Sequence, residues 1–186
     1  MSDMLSYAIL LVFALNGDIV LLSIGAGVAM HPFSNWLNLR AALAFTFIHS
    51  VMALLAINTG YLLADFILNF SFQAGIVIIG TLGLKTIIEA NAIKNDKRTF
   101  LYEDFTIVLT SALASSFNTF LAFLAYGLIM PKYSLYSIII LAVFVFLTVI
   151  AGIFIGNKYR PQYFGRFSKY FGGLIFLVIA IYLAMH

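Results

Sequence analysis

Six long apolar runs follow one another through this 186-residue chain, joined by stretches too short to fold on their own. About 20 apolar residues cross the hydrocarbon core of a bilayer as a helix, so six spans use nearly the whole sequence. The chain is 63% hydrophobic and only 9% charged, with a mean hydropathy of +1.08, whereas a soluble domain carries about 25% charged residues. The expected fold is all-α: a polytopic membrane protein with six transmembrane helices and no room for a soluble catalytic domain. A barrel is excluded, because its strands alternate over about ten residues and these runs are continuously apolar.

Spans are expected at about 4–29, 41–64, 72–93, 105–130, 134–156 and 171–186. The first run follows Asp3 and lacks a basic leader and a small-residue cleavage site, so it is expected to be a span and not a cleaved signal peptide. Positive residues cluster in the first, third and fifth loops: Arg40, then Lys94, Lys97 and Arg98, then Lys158, Arg160, Arg166 and Lys169, against Lys132 on the other side. The positive-inside rule puts those loops in the cytoplasm and both termini outside. With three spans per half, the second half then runs inverted relative to the first. The expected organisation is one transmembrane domain over 1–186, with repeat one at about 4–93, a cytoplasmic loop at about 94–104 and repeat two at about 105–186. Inverted repeats are a common transporter plan, with the substrate site near the midplane between them.

Asp18 lies near the middle of the first run, where burying a carboxylate costs about 2.5–3.5 kcal/mol on insertion scales. Such a residue pairs, protonates or binds a ligand. The matching place in the fourth run is Asn118, with Ser115, Ser116 and Thr119 around it. Its amide oxygen can ligate a hard cation without neutralising it; an interhelical hydrogen bond is the simpler alternative. His49 and Ser50 sit inside span two, where a neutral imidazole could bind a metal or move a proton. Lys85 and Glu89 are four apart in span three and share a face, as a structural ion pair or as a gate or proton-handling pair. Gly25 and Gly27, Gly152 and Gly156, and Gly172 and Gly173 mark sites of close helix packing.

The chain has no cysteine, which removes disulfides, thiolate ligation and cysteine catalysis. It has no Walker loop, zincin helix or intramembrane Gly-x-Ser-x-Gly, so an enzyme is not expected, nor is a prosthetic group. The net charge of +3 is spread over short loops, which membrane topology accounts for without a nucleic-acid partner. The partner these features imply is the lipid bilayer.

Four motifs in order resemble those of the MntP-type bacterial manganese exporters, small six-helix proteins of the LysE-like transporter superfamily. Asp18-Ile-Val-Leu-Leu-Ser23-Ile-Gly25-Ala-Gly27 is similar to the family's mid-helix Asp followed by a Ser-x-Gly-x-Gly stretch. Lys85-Thr-Ile-Ile-Glu89 resembles the end of its third span, Gly152-Ile-Phe-Ile-Gly156 its fifth, and Gly172-Gly173-Leu174 the start of its sixth. The family pattern has a second Asp in span four, where this chain has Ser116-Phe117-Asn118, and tends to have an acidic residue in span two, where this chain has His49. The resemblance implies a secondary transporter of the bacterial inner membrane that exports a divalent metal ion, Mn²⁺ foremost, as its substrate. It further implies binding by Asp18, Asn118, His49, Ser23 and Ser116, with Lys85 and Glu89 at a gate. Imidazole shifts preference toward later metals. The same residues also fit a LysE-like exporter of an amino acid or small polar solute, or a non-transporting membrane accessory protein.

Overall fold

The computed structural model describes residues 2–30, 33–67, 70–92, 105–130, 135–159 and 164–185. These form six helices: α1 Ser2–Ala29, α2 Asn35–Ile67, α3 Ser71–Ala92, α4 Phe105–Ile129, α5 Leu135–Tyr159 and α6 Phe164–Met185. All six are long and apolar enough to cross a membrane, and no strand occurs among the described residues. The expected loop at 94–104, Lys132 and Arg160 lie outside the described residues.

Two helices depart from the apolar runs in a way that matters. α2 starts six residues before its run, because the Ser34 hydroxyl accepts the Leu37 N–H at 3.4 Å as an N-cap and nothing between there and Arg40 breaks a helix. α6 starts at Phe164 and not at 171. Its apolar run is short of the ~20 residues a span needs, so the helix takes its first turns from the polar side. Lys169, expected in the fifth loop as a topology charge, is thereby a helical residue of α6 with only 12% of its side chain exposed.

α1 is the central helix: 61% of its span is buried, against 28% for those of α3 and α5. It packs on α5 and α6, while α2 packs on α4 and α5, and α3 on α4 and α6. Every extensive interface therefore joins a helix of the first half to one of the second.

Small residues let these crossings close. A Cβ on Gly27 would strike the Ile153 carbonyl oxygen, and one on Gly156 the Ile24 carbonyl oxygen. Gly152 meets the Ser23 side chain in the same crossing. Where α2 meets α4, a Cβ on Gly60 would sit 2.5 Å from the Leu124 oxygen, and one on Gly127 2.7 Å from the Ile57 oxygen. Gly17 and Gly172 bring α1 onto α6, against the Ser168 and Ala14 carbonyl oxygens, and Gly173 packs on Gly83 and Ile87 of α3. Gly25 is only partly buried. In lipid, helices gain little from excluding tails, so this close approach supplies much of the packing attraction. The Asn157 amide adds a polar tie, donating to the Met30 carbonyl at 2.6 Å and the Gly27 carbonyl at 3.3 Å at the end of α1.

Gly27→Ala forces a methyl into α5 backbone and is expected to lower stability by about 1–3 kcal/mol, read as an earlier thermal transition in detergent. Gly80→Ala meets only the Ala180 Cβ at 3.7 Å and should melt no earlier than the parent, since Ala favours the helix by about 1 kcal/mol.

Candidate functional site: a closed polar ring

Asp18 does not stand alone. The α1–α4 contact brings it to Asn118, whose amide nitrogen donates a short hydrogen bond to Asp18 Oδ2. The other end of that amide is used as well, because Asn118 Oδ1 accepts from Lys85 Nζ of α3 at 2.6 Å. On the other side of Asp18, Lys169 Nζ of α6 lies 3.0 Å from Oδ1 and 2.7 Å from Glu89 Oε2 of α3. Glu89 Oε1 lies 3.6 Å from Lys85 Nζ. The five side chains thus close a ring: Lys85, Asn118, Asp18, Lys169, Glu89 and back to Lys85.

Each helix contributes for a local reason. Lys85 and Glu89 are one turn apart on α3 and project together. Gly17 lets α6 backbone approach α1 right beside Asp18, with the Ser168 oxygen 2.6 Å from where a Cβ would be, and Lys169 is the next residue. Lys85 is further steadied over the Phe117 ring, 5.9 Å from its centroid.

The ring has an inner and an outer side. Asp18 and Lys169 side chains are 12% exposed, while Lys85 and Glu89 are 42% and 38% exposed. Two ammonium groups and two carboxylates balance, so the ring is neutral overall. Opposite charges at hydrogen-bonding distance are what make such groups tolerable in an apolar bundle. Asp18 Oδ1 is itself buried, with the Lys169 ammonium 3.0 Å away.

The remaining candidates stand apart from the ring. His49 is fully buried on α2, with Nδ1 donating to the Phe45 carbonyl at 2.9 Å and Nε2 at 3.3 Å from the Ser115 hydroxyl. With the Nδ1 proton on the carbonyl, Nε2 keeps its lone pair for Ser115 or a ligand. Ser115 lies one turn from Asn118 on α4. Ser23 donates to the Ile19 carbonyl at 2.6 Å and Ser116 to the Leu113 carbonyl at 2.8 Å, each within its own helix. Among the described residues no three His, Cys, Asp or Glu side chains gather closely enough to hold a metal.

Residues 33–184 match the family described as "Putative manganese efflux pump". The chain belongs to the MntP family. Two curated MntP relatives carry the name "Putative manganese efflux pump MntP". The one from Aliarcobacter butzleri (strain RM4018) is 25% identical over 174 residues, 93% of this chain and 95% of its own length. The one from Methanothermobacter thermautotrophicus (strain Delta H) is 24% identical over 179 residues, 96% of this chain and 94% of its own. No solved structure matches. Lys169 is the ring residue that reading the sequence missed. The signal that points to it is the shortness of the sixth apolar run, which requires the helix to begin upstream of Gly172.

Asp18→Asn leaves Lys169 one carboxylate short, and Lys169→Met leaves two carboxylates facing each other. Each single change is expected to lower stability, by less than the roughly 3–5 kcal/mol of a fully buried pair because the Glu89 side chain is 38% exposed. The double change should cost less than the two combined, with a coupling of about 0.5–3 kcal/mol in a double-mutant cycle on thermal unfolding.

Proposed function

We propose that this chain is a secondary transporter that exports a divalent metal cation, with Mn²⁺ as the foremost substrate, by alternating exposure of a midplane site. The observation that carries this reading is the polar ring, which joins Asp18 and Glu89 through one cation inside a largely apolar bundle. The names of the two curated relatives supply the substrate class. Asp18 is the charged ligand, Asn118 an oxygen ligand through Oδ1, and Glu89 with Lys85 the polar entry at the exposed side of the ring. His49 is an auxiliary ligand or proton acceptor one turn of α4 away. Hard divalent cations take oxygen ligands of this kind.

The chain forms a single transmembrane domain of two inverted three-helix repeats in this reading. Exchanging α1 with α4, α2 with α5 and α3 with α6 maps the main interfaces onto one another. It also maps the Asp18–Lys169 pair onto Asn118–Lys85 and the Gly27 crossing onto the Gly127 crossing. Even without Lys169, Lys94, Lys97, Arg98 and Arg160, with Arg40 near the start of α2, Lys158 at the end of α5 and Arg166 at the start of α6, oppose Lys132 alone, which supports both termini lying outside the plasma membrane. The ring then opens toward the cytoplasm, from the C-terminal end of α3 and the N-terminal end of α6. Moving a dication outward against an inside-negative potential costs about 2.3 kcal/mol per charge per 100 mV, which favours exchange against protons over a uniport.

Expressed in cells lacking their own manganese exporter, the chain should lower retained manganese after a manganese load and restore tolerance. Asp18→Asn should abolish both, while Asn118→Asp, which adds a second carboxylate beside Asp18, should retain export and bind Mn²⁺ more tightly. Unchanged metal content with the chain verified in the membrane would refute a manganese exporter.

A further inference from the structure

Lys169 holds a position that a substrate cation would need. Its Nζ bridges carboxylates from two helices, at 3.0 Å from Asp18 Oδ1 on α1 and 2.7 Å from Glu89 Oε2 on α3. Lys85 does not play the same part: its short contact is to the neutral Asn118 oxygen, and Glu89 is 3.6 Å away. We propose that Lys169 is a tethered cation that occupies the Asp18–Glu89 pair while substrate is absent and is displaced when a divalent cation binds there. This rests on the ring being the cation site.

Three physical arguments lead to it. The first is geometric. Divalent cations hold oxygens at about 2.0–2.6 Å, so two carboxylates already drawn to within 3.0 Å of one nitrogen need close only slightly around a metal. The second is electrostatic. The ring is neutral with both lysines in place, and a dication entering beside them would leave two uncompensated positive charges in a poorly screening interior. Removal of the Lys169 ammonium relieves half of that excess and frees both carboxylates at once. The third is mechanical. Lys169 lies in the second turn of α6 on a flexible four-carbon stem that can carry its charge toward the helix end.

The consequence for transport is that the empty site is never a pair of bare carboxylates. After metal leaves, Lys169 returns to Asp18 and Glu89 and the unloaded protein can change conformation with the ring neutral. The same competition weakens apparent metal affinity by the fraction of time the lysine is seated, which assists release.

Mn²⁺ titration by calorimetry of the purified full chain in lipid nanodiscs tests this. With the lysine seated about 90% of the time or more, Lys169→Met should bind Mn²⁺ about tenfold tighter than the parent, and Lys169→Arg, which keeps the charge, should stay near the parent. A folded Lys169→Met protein that binds Mn²⁺ no more tightly than the parent overturns the inference while leaving the cation site standing. Absence of saturable Mn²⁺ binding in both proteins removes the cation site and the inference together. Should Lys169→Met not fold, the unmodified chain answers the same question by mass spectrometry after treatment with an amine-acetylating reagent. Saturating Mn²⁺ should raise acetylation at Lys169 severalfold and leave exposed Lys158 unchanged; no rise at Lys169 counts against displacement.

Discussion

The neutralisation of Asp18 is the constraint around which the bundle is arranged. A short side chain cannot reach far, so its partners must be carried to it by whole helices. α6 can come close enough because Gly17 and Gly172 remove side chains from the α1–α6 crossing, and α4 meets α1 over a short stretch at Asn118. The central position of α1 follows, since it alone must face α4, α5 and α6 together. The glycine crossings on α5 and between α2 and α4 then close the rest of the bundle around that arrangement.

Much of the architecture is legible in the sequence because bilayer thickness translates directly into run length. Six runs become six helices, with ends shifted where caps and polar turns extend them, as at Ser34 and Phe164. The Asp18–Asn118 pairing is also readable, since both residues sit mid-run. What escapes is the identity of the cation beside Asp18. Counting positive residues by loop assigns Lys169 to topology, and only the three-dimensional docking of α6 shows that its charge is spent inside the bundle. Hydropathy records that a residue is polar and cannot record which way a helix is turned. For the same reason it places His49 in the membrane without revealing that it faces Ser115 and not Asp18.

Asn118 acquires a clear physical role in the ring. Its amide accepts from an ammonium at one end and donates to a carboxylate at the other, so it relays polarity between unlike charges. An aspartate there would face Asp18 as a like charge and require a proton or a cation between them. The two lysines and two carboxylates balance because this position is an amide, which matches it to the metal-free charge state of the ring.

The crosswise packing has a consequence for how the protein is made. Helices α1, α2 and α3 have almost no interfaces among themselves, and their partners all lie in the second half. During synthesis Asn118 follows Asp18 by 100 residues, which is about 5–20 s at ordinary elongation rates of 5–20 residues per second, and Lys169 comes later still. Through that interval the first span must sit in or beside the membrane with its carboxylate unmatched by any residue yet made. Biogenesis of this chain therefore depends on a waiting state of the first span, relieved in two steps as Asn118 of α4 and then Lys169 of α6 arrive.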